Sequence, residues 1–117
     1  MPEKPDPDEL LELLGDPYVR TILRAASQEP MSAKELSEEC DSALSTVYRR
    51  VDDLIEYDLL VEQTAMERDG SHHSVYATRL DLLTVRVANG EFDMALEVER
   101  SAPERFTSMW ENIREVR

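Results

Sequence analysis

The amino-acid sequence predicts an α+β fold in which four short helices precede two β-hairpins and a final helix. Apolar residues recur at helical spacing between residues 7 and 57. From Leu59 onwards they alternate with polar residues, as in half-buried strands, and two turn dipeptides, Asp69-Gly70 and Asn89-Gly90, interrupt the alternation. After residue 100 the helical spacing returns. A chain of 117 residues accommodates these elements in one domain.

The composition limits the classes of protein to which the chain can belong. Hydrophobic residues make up 41%, which is typical of a folded chain. No apolar run approaches the ~20 residues that cross a bilayer, and the N-terminus lacks the basic and apolar regions of a signal peptide. The single Cys40 has no partner for a disulfide or a CxxC motif. We therefore expect a cytoplasmic protein that does not contact membranes and needs no cofactor or metal.

The charge of the chain is unusual in size and in kind. The net charge is -13, from 26 acidic and 13 basic residues, and Lys4 and Lys34 are the only lysines. Such a surface resembles that of proteins from halophiles with a concentrated potassium cytoplasm. Salt at ~1 M confines charge repulsion to ~3 Å, so an acidic shell keeps such proteins soluble at little cost. The alternative is a generic acidic protein of an ordinary cytoplasm.

The first two helices carry clear start and stop signals. Asp6 and Asp16 are expected N-caps, each followed by a proline at the first helical position. Gly15 and Pro30 should end these helices. We expect residues 1–6 to form a flexible N-terminus.

The third and fourth helices follow directly. Ser32 with Glu35 has the spacing of a capping box, and Cys40 should be a buried thiol of the third helix. Asp41 or Ser42 is the expected cap of the fourth helix. Its apolar residues, which should face the core, are Leu44, Val47, Val51, Leu54 and Ile55.

The second hairpin and the last helix have well-defined apolar faces. Leu83, Val85 and Val87 share one face of their strand, as do Phe92, Met94, Leu96 and Val98 of the next. Ser101 and Glu104 predict another capping box. We expect the last helix to form a dimer interface together with the leading helix, through Leu10, Leu13, Leu14, Phe106, Met109, Trp110 and Ile113. The alternative is packing of this helix within its own chain.

The stretch "SAKELSEECDSALSTVYRRVDDLIEYDLLVEQ" makes the pattern more specific. With three helices and a hairpin between residues 16 and 79, it resembles winged helix-turn-helix transcriptional regulators of the ArsR type, in their small haloarchaeal form. The matching residues are Leu36, Ser45, Thr46, Val47, Arg49, Arg50, Val51, Leu54, Leu59, Leu60 and Val61. The family usually has glycine where this chain has Asp58, which also tolerates the left-handed conformation of a helix end. The resemblance covers roughly half of the chain.

The resemblance implies a homodimeric regulator that binds double-stranded DNA. Residues 7–79 would form the winged helix-turn-helix domain, and residues 80–117 a hairpin and helix for dimerisation and support. The recognition helix, residues 42–57, would enter the major groove, and the wing, residues 66–74, would lie on the backbone or in the minor groove. A two-fold dimer implies a palindromic site with half-sites about one helical turn apart.

The residue types around the fourth helix fit contacts to DNA. Hydroxyl groups and arginines can bind phosphates or base edges, and a helix N-terminus attracts anions. The expected contacts are Ser32, Lys34, Ser45, Thr46, Tyr48, Arg49, Arg50, Arg68, His72 and His73. The alternative for Arg49 and Arg50 is ion pairing along the helix with Asp52, Asp53 and Glu56, worth ~0.2–0.5 kcal/mol each. Neighbouring residues of a strand point to opposite faces, so His72 and His73 are poorly placed to chelate one metal ion.

Two other classes of function compete with DNA binding. A winged helix can also be a protein-interaction module of a transcription-related complex that does not bind DNA directly. An enzyme is not expected, because the chain has no catalytic Ser/His/Asp pattern and no phosphate-binding glycine loop. No residue identifies a small-molecule effector. For a DNA-binding protein of this charge, we expect binding that persists or tightens as KCl rises, through cations held between carboxylates and phosphates.

Overall fold

The computed structural model describes residues 6–98. Four helices come first, α1 (Pro7–Leu14), α2 (Pro17–Gln28), α3 (Ala33–Cys40) and α4 (Leu44–Glu56). Four strands follow, β1 (Leu60–Met66), β2 (His72–Thr78), β3 (Leu80–Ala88) and β4 (Glu91–Val98). This mixed α+β architecture confirms the expected order of helices and hairpins and is compatible with a winged helix-turn-helix. The expected last helix lies outside the described residues.

The expected starts of the first two helices are confirmed. The side chain of Asp6 accepts a hydrogen bond from the backbone N–H of Asp8 (3.0 Å), and that of Asp16 accepts one from Tyr18 (2.8 Å). Gly15 is the C-cap residue of α1. These short-range bonds satisfy N–H groups that have no partner within the helix.

The expected start of α4 is wrong. Its N-cap is Ala43, whose side chain makes no capping bond. Asp41 instead ends α3 with a left-handed backbone (φ 50°), and the N–H of Ser42 donates to the carbonyl of Ser37 (3.1 Å). Both residues are therefore used to end the preceding helix, because the tight turn needs a residue that tolerates positive φ.

Helices α2, α3 and α4 enclose the core, which β1, β2 and α1 complete. Its largest fully buried side chains are Leu10, Val19, Ile22, Leu36, Val47, Val51, Leu54, Leu59 and Leu60. Leu44 was expected among them, but it is 44% exposed. It is the first residue of α4 and precedes by one turn the first α4 residue that the core covers, Val47. Cys40, expected to be buried, is only partly buried against this core.

The first hairpin, formed by β1 and β2, is held to the helices by a third extended segment. Met31 exchanges two backbone hydrogen bonds with Tyr76 of β2, at 3.0 and 2.7 Å. Asp58, with a φ of 64°, makes the sharp connection from α4 to β1, as its position in the sequence indicated. The hairpin tip is a loop closed by the N–H of Glu67 and the carbonyl of Ser71 (2.8 Å), and it contains the predicted turn residue Gly70. We use the name wing for this whole hairpin, and the name wing tip for its residues 66–74.

The second hairpin, formed by β3 and β4, is a separate two-stranded sheet. Asn89 and Gly90 have positive φ values of 54° and 78°, as a two-residue hairpin turn requires. Cross-strand pairs confirm the predicted apolar face: Leu83 with Leu96, Val85 with Met94, and Val87 with Phe92. Only the part of this face near the start of β3 reaches the core, where β4 contacts α1.

Candidate nucleic-acid interface

The fourth helix presents one buried and one exposed face. Residues 41–43 connect it to α3, and Val47, Val51 and Leu54 hold it on the core. Its opposite face, which we name the exposed α4 face, consists of Ser45, Tyr48, Arg49 and Asp52, all exposed. Thr46 is partly buried beside it. Three of the five residues of α4 that were expected to bind DNA therefore share one solvent-facing strip.

The exposed α4 face is open to a ligand at its N-terminal end. No side chain caps the first turn, which leaves backbone N–H groups there to face an anion. Tyr48 is 46% exposed. Arg49 forms no ion pair with any residue between 6 and 98, so the alternative of intrahelical ion pairs does not apply to it within this range. Its guanidinium group is therefore available for phosphate or base contacts.

Arg50 does not share this face. Its Nε lies 2.5 Å from Oδ2 of Asp16, and the two side chains are only 25% and 21% exposed. The other carboxylate oxygen of Asp16 accepts the capping bond from Tyr18. Arg50 is thus directed to the start of α2, where it ties two helices of the domain together. Arg50 therefore points away from the exposed α4 face, because successive residues of a helix lie about 100° apart.

Arg50 lies in an acidic cleft of about 460 Å³ between α1, the start of α2 and α4. The cleft is lined by Glu9, Glu12, Leu13, Asp16, Arg50, Asp53, Glu56 and Tyr57. The hydroxyl of Tyr57 donates a hydrogen bond to the carboxylate of Glu9. This bond is the main reason that the pKa of Tyr57 rises to about 12. The carboxylates of this cleft would repel phosphate groups in dilute salt.

The other side of α4 adjoins the wing. Burial, followed by the nearby carboxylate of Glu62 and then by Tyr48 and Asp52, raises the pKa of Tyr76. Glu62 of β1 also accepts a hydrogen bond from Ser74 of β2 (2.5 Å). The exposed α4 face and the wing are therefore neighbours, and two carboxylates, Asp52 and Glu62, lie near their junction.

The two candidate residues at the start of α3 have different environments. The hydroxyl of Ser32 accepts a hydrogen bond from the N–H of Glu35 (3.2 Å), and the N–H of Ser32 donates to Oε1 of Glu35 (3.0 Å). The backbone bond from Ser32 is the main cause of the lowered pKa of Glu35. The predicted capping box is confirmed, and it occupies the Ser32 hydroxyl. Lys34 is exposed and has no such constraint.

The candidate residues of the wing lie at or near its tip. Arg68 and His72 are exposed. His73 is partly buried, and its Nδ1 lies 3.2 Å from a carboxylate oxygen of Glu67. His72 pairs across the hairpin with Met66 and His73 with Ala65, so the two imidazoles leave opposite faces of the sheet. In the part of the chain that the structure describes, no three metal-ligating side chains form a group.

The leading helix offers less apolar surface than the sequence indicated. Leu10 is completely buried, so it cannot contact a second subunit. Leu13 and Leu14 are partly buried and pack against the core. Leu11, which is not among the expected dimer residues, is 42% exposed. The other four expected dimer residues, Phe106, Met109, Trp110 and Ile113, lie outside the described residues.

The partners of Arg50 and Tyr57 were not recognised from the sequence. The pattern Asp16-Pro17 identified a helix cap but gave no sign of a second role for its carboxylate. Arg50 is 34 positions from Asp16, and Tyr57 is 48 positions from Glu9. Such pairs depend on how helices pack and have no local signal in a single sequence.

A comparison with known families agrees with this geometry. Residues 14–63 match the model of a family described as a helix-turn-helix domain. The match runs from the last residue of α1 into β1 and includes the whole of α4. No curated protein matches the chain. Within residues 6–98, no helix is long and apolar enough to cross a bilayer. Together, the match and the packing of α2, α3 and α4 support a helix-turn-helix regulator with double-stranded DNA as its ligand.

Proposed function

We propose that this protein is a sequence-specific DNA-binding transcriptional regulator that acts as a homodimer, of the ArsR-like winged helix type. Each subunit places the exposed α4 face in the major groove and the wing tip on the backbone or in the minor groove. Two-fold symmetry then predicts a palindromic site. A helix-turn-helix domain is typically a binding module, which agrees with a protein that is not an enzyme.

The single observation that carries the proposal is the exposed α4 face. It presents a hydroxyl, an aromatic ring and a guanidinium group on Ser45, Tyr48 and Arg49, at the uncapped end of the helix within the matched helix-turn-helix region, and no residue between 6 and 98 forms an ion pair with Arg49. Arginine can bind guanine in a bidentate manner, whereas hydroxyls bind phosphates or base edges. Thr46 lies at the edge of this face and would reach the backbone.

The remaining candidate residues divide by environment. Lys34, Arg68 and His72 are exposed, which suits phosphate contacts that fix the position of the domain. The Ser32 hydroxyl and Arg50 are held by Glu35 and Asp16, respectively, so they act on the shape of the domain. His73, beside Glu67, supports the wing in the same way.

The acidic surface is the strongest argument for adaptation to high salt. Asp52 and Glu62 lie near the junction of the exposed α4 face and the wing, where they would meet phosphates. In dilute salt such carboxylates repel DNA. At high KCl, potassium ions between carboxylates and phosphates would remove this repulsion, so we propose that binding persists or tightens as KCl rises, in contrast to ordinary counterion release.

Fluorescence anisotropy tests the proposal. The purified protein is titrated into labelled DNA from upstream of its own gene and into a scrambled DNA of the same length, from low to molar KCl. We expect a preference for the upstream DNA that survives molar KCl. Equal binding to both sequences would refute sequence specificity, and a steep loss of affinity with KCl would refute the proposed salt adaptation.

A protein-interaction module is the alternative function, and the acidic residues beside α4 favour it. Asp52 and Glu62 would suit a basic protein surface as well as a cation layer on DNA. The two functions differ in the role of Arg49. If the protein binds DNA directly, Arg49→Ala lowers DNA affinity, whereas Arg86→Ala, an exposed arginine of the second hairpin, leaves it unchanged. Absence of DNA binding at every KCl concentration would favour the interaction module.

A further inference from the structure

The second hairpin has an apolar surface that the described part of the protein leaves uncovered. Val85, Val87 and Phe92 are 47%, 66% and 55% exposed. Val87 and Phe92 are cross-strand partners, and Val85 is paired with Met94 on the same side of the sheet. We name these three residues the distal hairpin face. Near the other end of the same sheet face, Leu83, Met94 and Leu96 pack against the core. The core therefore covers one part of this face, and the distal hairpin face is the part that it leaves exposed.

The distal hairpin face differs from the other exposed apolar residues of the described chain. Those residues, Leu11, Tyr18, Leu44, Tyr48, Met66 and Leu82, are distributed over the helices, the wing tip and the opposite face of β3. The three side chains of the distal hairpin face are neighbours on one surface. A two-stranded hairpin is marginally stable in water unless a further layer covers its apolar side. Contiguous exposed apolar surface of this kind marks an interaction site.

The chain contains a segment whose sequence matches this surface. Residues 101–117 follow directly on the part described by the structure, which ends at Val98 of β4, and they carry the apolar stripe Phe106, Met109, Trp110 and Ile113. As a helix, these residues would be ~25 Å long. The apolar stripe from Phe106 to Ile113 would take up ~10 Å of that length. This compares with the ~7 Å between Val85 and Val87 along β3, so the stripe can cover the distal hairpin face.

The charge of the segment also suits a second acidic domain. Residues 99–117 contain four glutamates and four arginines, so they carry no net charge, and the rest of the chain carries the whole charge of -13. Contact between two of the acidic parts would bring like charges together, whereas contact through the neutral segment does not. The segment is therefore the part of the chain that can approach another subunit with the least repulsion.

We infer that residues 101–117 of one subunit pack on the distal hairpin face of a second copy, and that the second copy does the same in return. This inference rests on the homodimer of the proposed function and names its receptor surface. The expected partner surface on α1 is mostly occupied, because Leu10 is completely buried and Leu13 and Leu14 pack on the core. No residue between 6 and 98 covers the distal hairpin face, and reciprocal exchange would cover both faces in one two-fold interface.

Light scattering on the eluting full-length protein tests the inference in molar KCl and without DNA. The wild type should have twice the 13.5 kDa mass of one chain. Val87→Asp/Phe92→Asp alters the receptor face, and Trp110→Asp/Ile113→Asp alters the segment; each variant should elute with the mass of a single chain. The matched control is Thr84→Asp/Ala95→Asp, a cross-strand pair on the opposite face of the same hairpin, which should remain dimeric. A monomeric wild type, or a dimer formed by either altered variant, would overturn the inference.

Mixing the two altered variants separates exchange between subunits from packing within one chain. The face variant retains an intact segment, and the segment variant retains an intact face. If the segment of one copy covers the face of another, the mixture should form a 1:1 complex through one remaining contact, although each variant alone is monomeric. A mixture that stays monomeric would contradict exchange between subunits. The mass is measured without DNA, so the two proposals can fail separately. A dimer that binds no DNA in the anisotropy experiment would refute the proposed regulator and leave the inference intact.

Discussion

Arg50 of α4 and Asp16 at the start of α2 form an ion pair, with Nε of Arg50 2.5 Å from Oδ2 of Asp16. Asp16 also caps α2 through its second carboxylate oxygen. One carboxylate therefore fixes both the start of α2 and the position of α4. Arg49, one residue earlier, lies on the exposed α4 face. The two adjacent arginines thus have different surroundings: Arg50 is paired with Asp16, and Arg49 is exposed.

Removal of this ion pair should destabilise the domain modestly. We expect Arg50→Gln and Asp16→Asn each to lower the free energy of unfolding by about 0.5–1 kcal/mol, because the pair is partly exposed to solvent. Asparagine still caps α2, so Asp16→Asn isolates the ion pair from the cap. Chemical denaturation of both single variants and the double variant gives the coupling free energy.

Arg49→Gln is the matched control for this cycle, and its effect on stability should stay within about 0.5 kcal/mol. A coupling free energy of zero between Arg50 and Asp16 would contradict the role assigned to the pair. An equal coupling free energy at low and molar KCl would agree with the partial burial of the pair, since salt screens exposed pairs more strongly than buried ones.

Tyr57 and Glu9 give a prediction about pH. Their hydrogen bond raises the pKa of Tyr57 from 10.0 to about 12 in the folded protein. Its stabilising effect should therefore be fully present below pH 10 and disappear as the pH rises through about 12. An ultraviolet titration of the tyrosines should show a late component near pH 12 that Tyr57→Phe removes, whereas the raised pKa of Tyr76 should persist in this variant.

The carboxylate of Glu9 should be the cause of this late component. We expect Glu9→Gln to move it towards the ordinary tyrosine pKa, because the amide carries no negative charge. Glu12→Gln changes another residue of the same cleft and should leave the component in place. An unchanged titration of Glu9→Gln would show that the two side chains are not bonded in solution.

Ser32 and Lys34 should affect different properties. Ser32→Ala removes one half of the capping box and should lower the free energy of unfolding by about 1 kcal/mol. Lys34→Ala should leave stability unchanged and weaken binding to both specific and scrambled DNA, as expected for a phosphate contact. Denaturation and anisotropy on the same preparations separate the two effects. Loss of DNA affinity in Ser32→Ala at unchanged stability would show that its hydroxyl contacts DNA.

The features that the sequence predicted correctly are those with a local physical cause. Asp6 and Asp16 cap helices because of residues two positions away, and Asn89 with Gly90 forms a turn because of its own backbone preferences. The alternation of apolar residues in β3 and β4 likewise defined one face of the second hairpin. These signals were sufficient for the order of elements and for the position of α4.

The features that escaped prediction depend on packing between distant residues. The periodicity of α4 placed Leu44 with Val47, but the core does not extend to the first turn, and Leu44 is exposed. The sequence does not distinguish Arg50 from Arg49, because the partner of Arg50 lies far away in the chain, at the start of α2. The exposed end of the apolar face of the second hairpin could not be predicted either. Alternation identifies an apolar face, but it does not indicate how far the core reaches along that face.

The measurement that tests the central claim most directly compares Arg49→Ala with Arg50→Ala in DNA binding. Anisotropy on the upstream DNA in molar KCl should show a loss of about fivefold or more for Arg49→Ala, since a base-contacting arginine contributes about 1–3 kcal/mol. Arg50→Ala, which faces Asp16, should bind almost as well as the wild type once its folding is verified. Equal affinity of Arg49→Ala and wild type would contradict the claim that the exposed α4 face reads DNA.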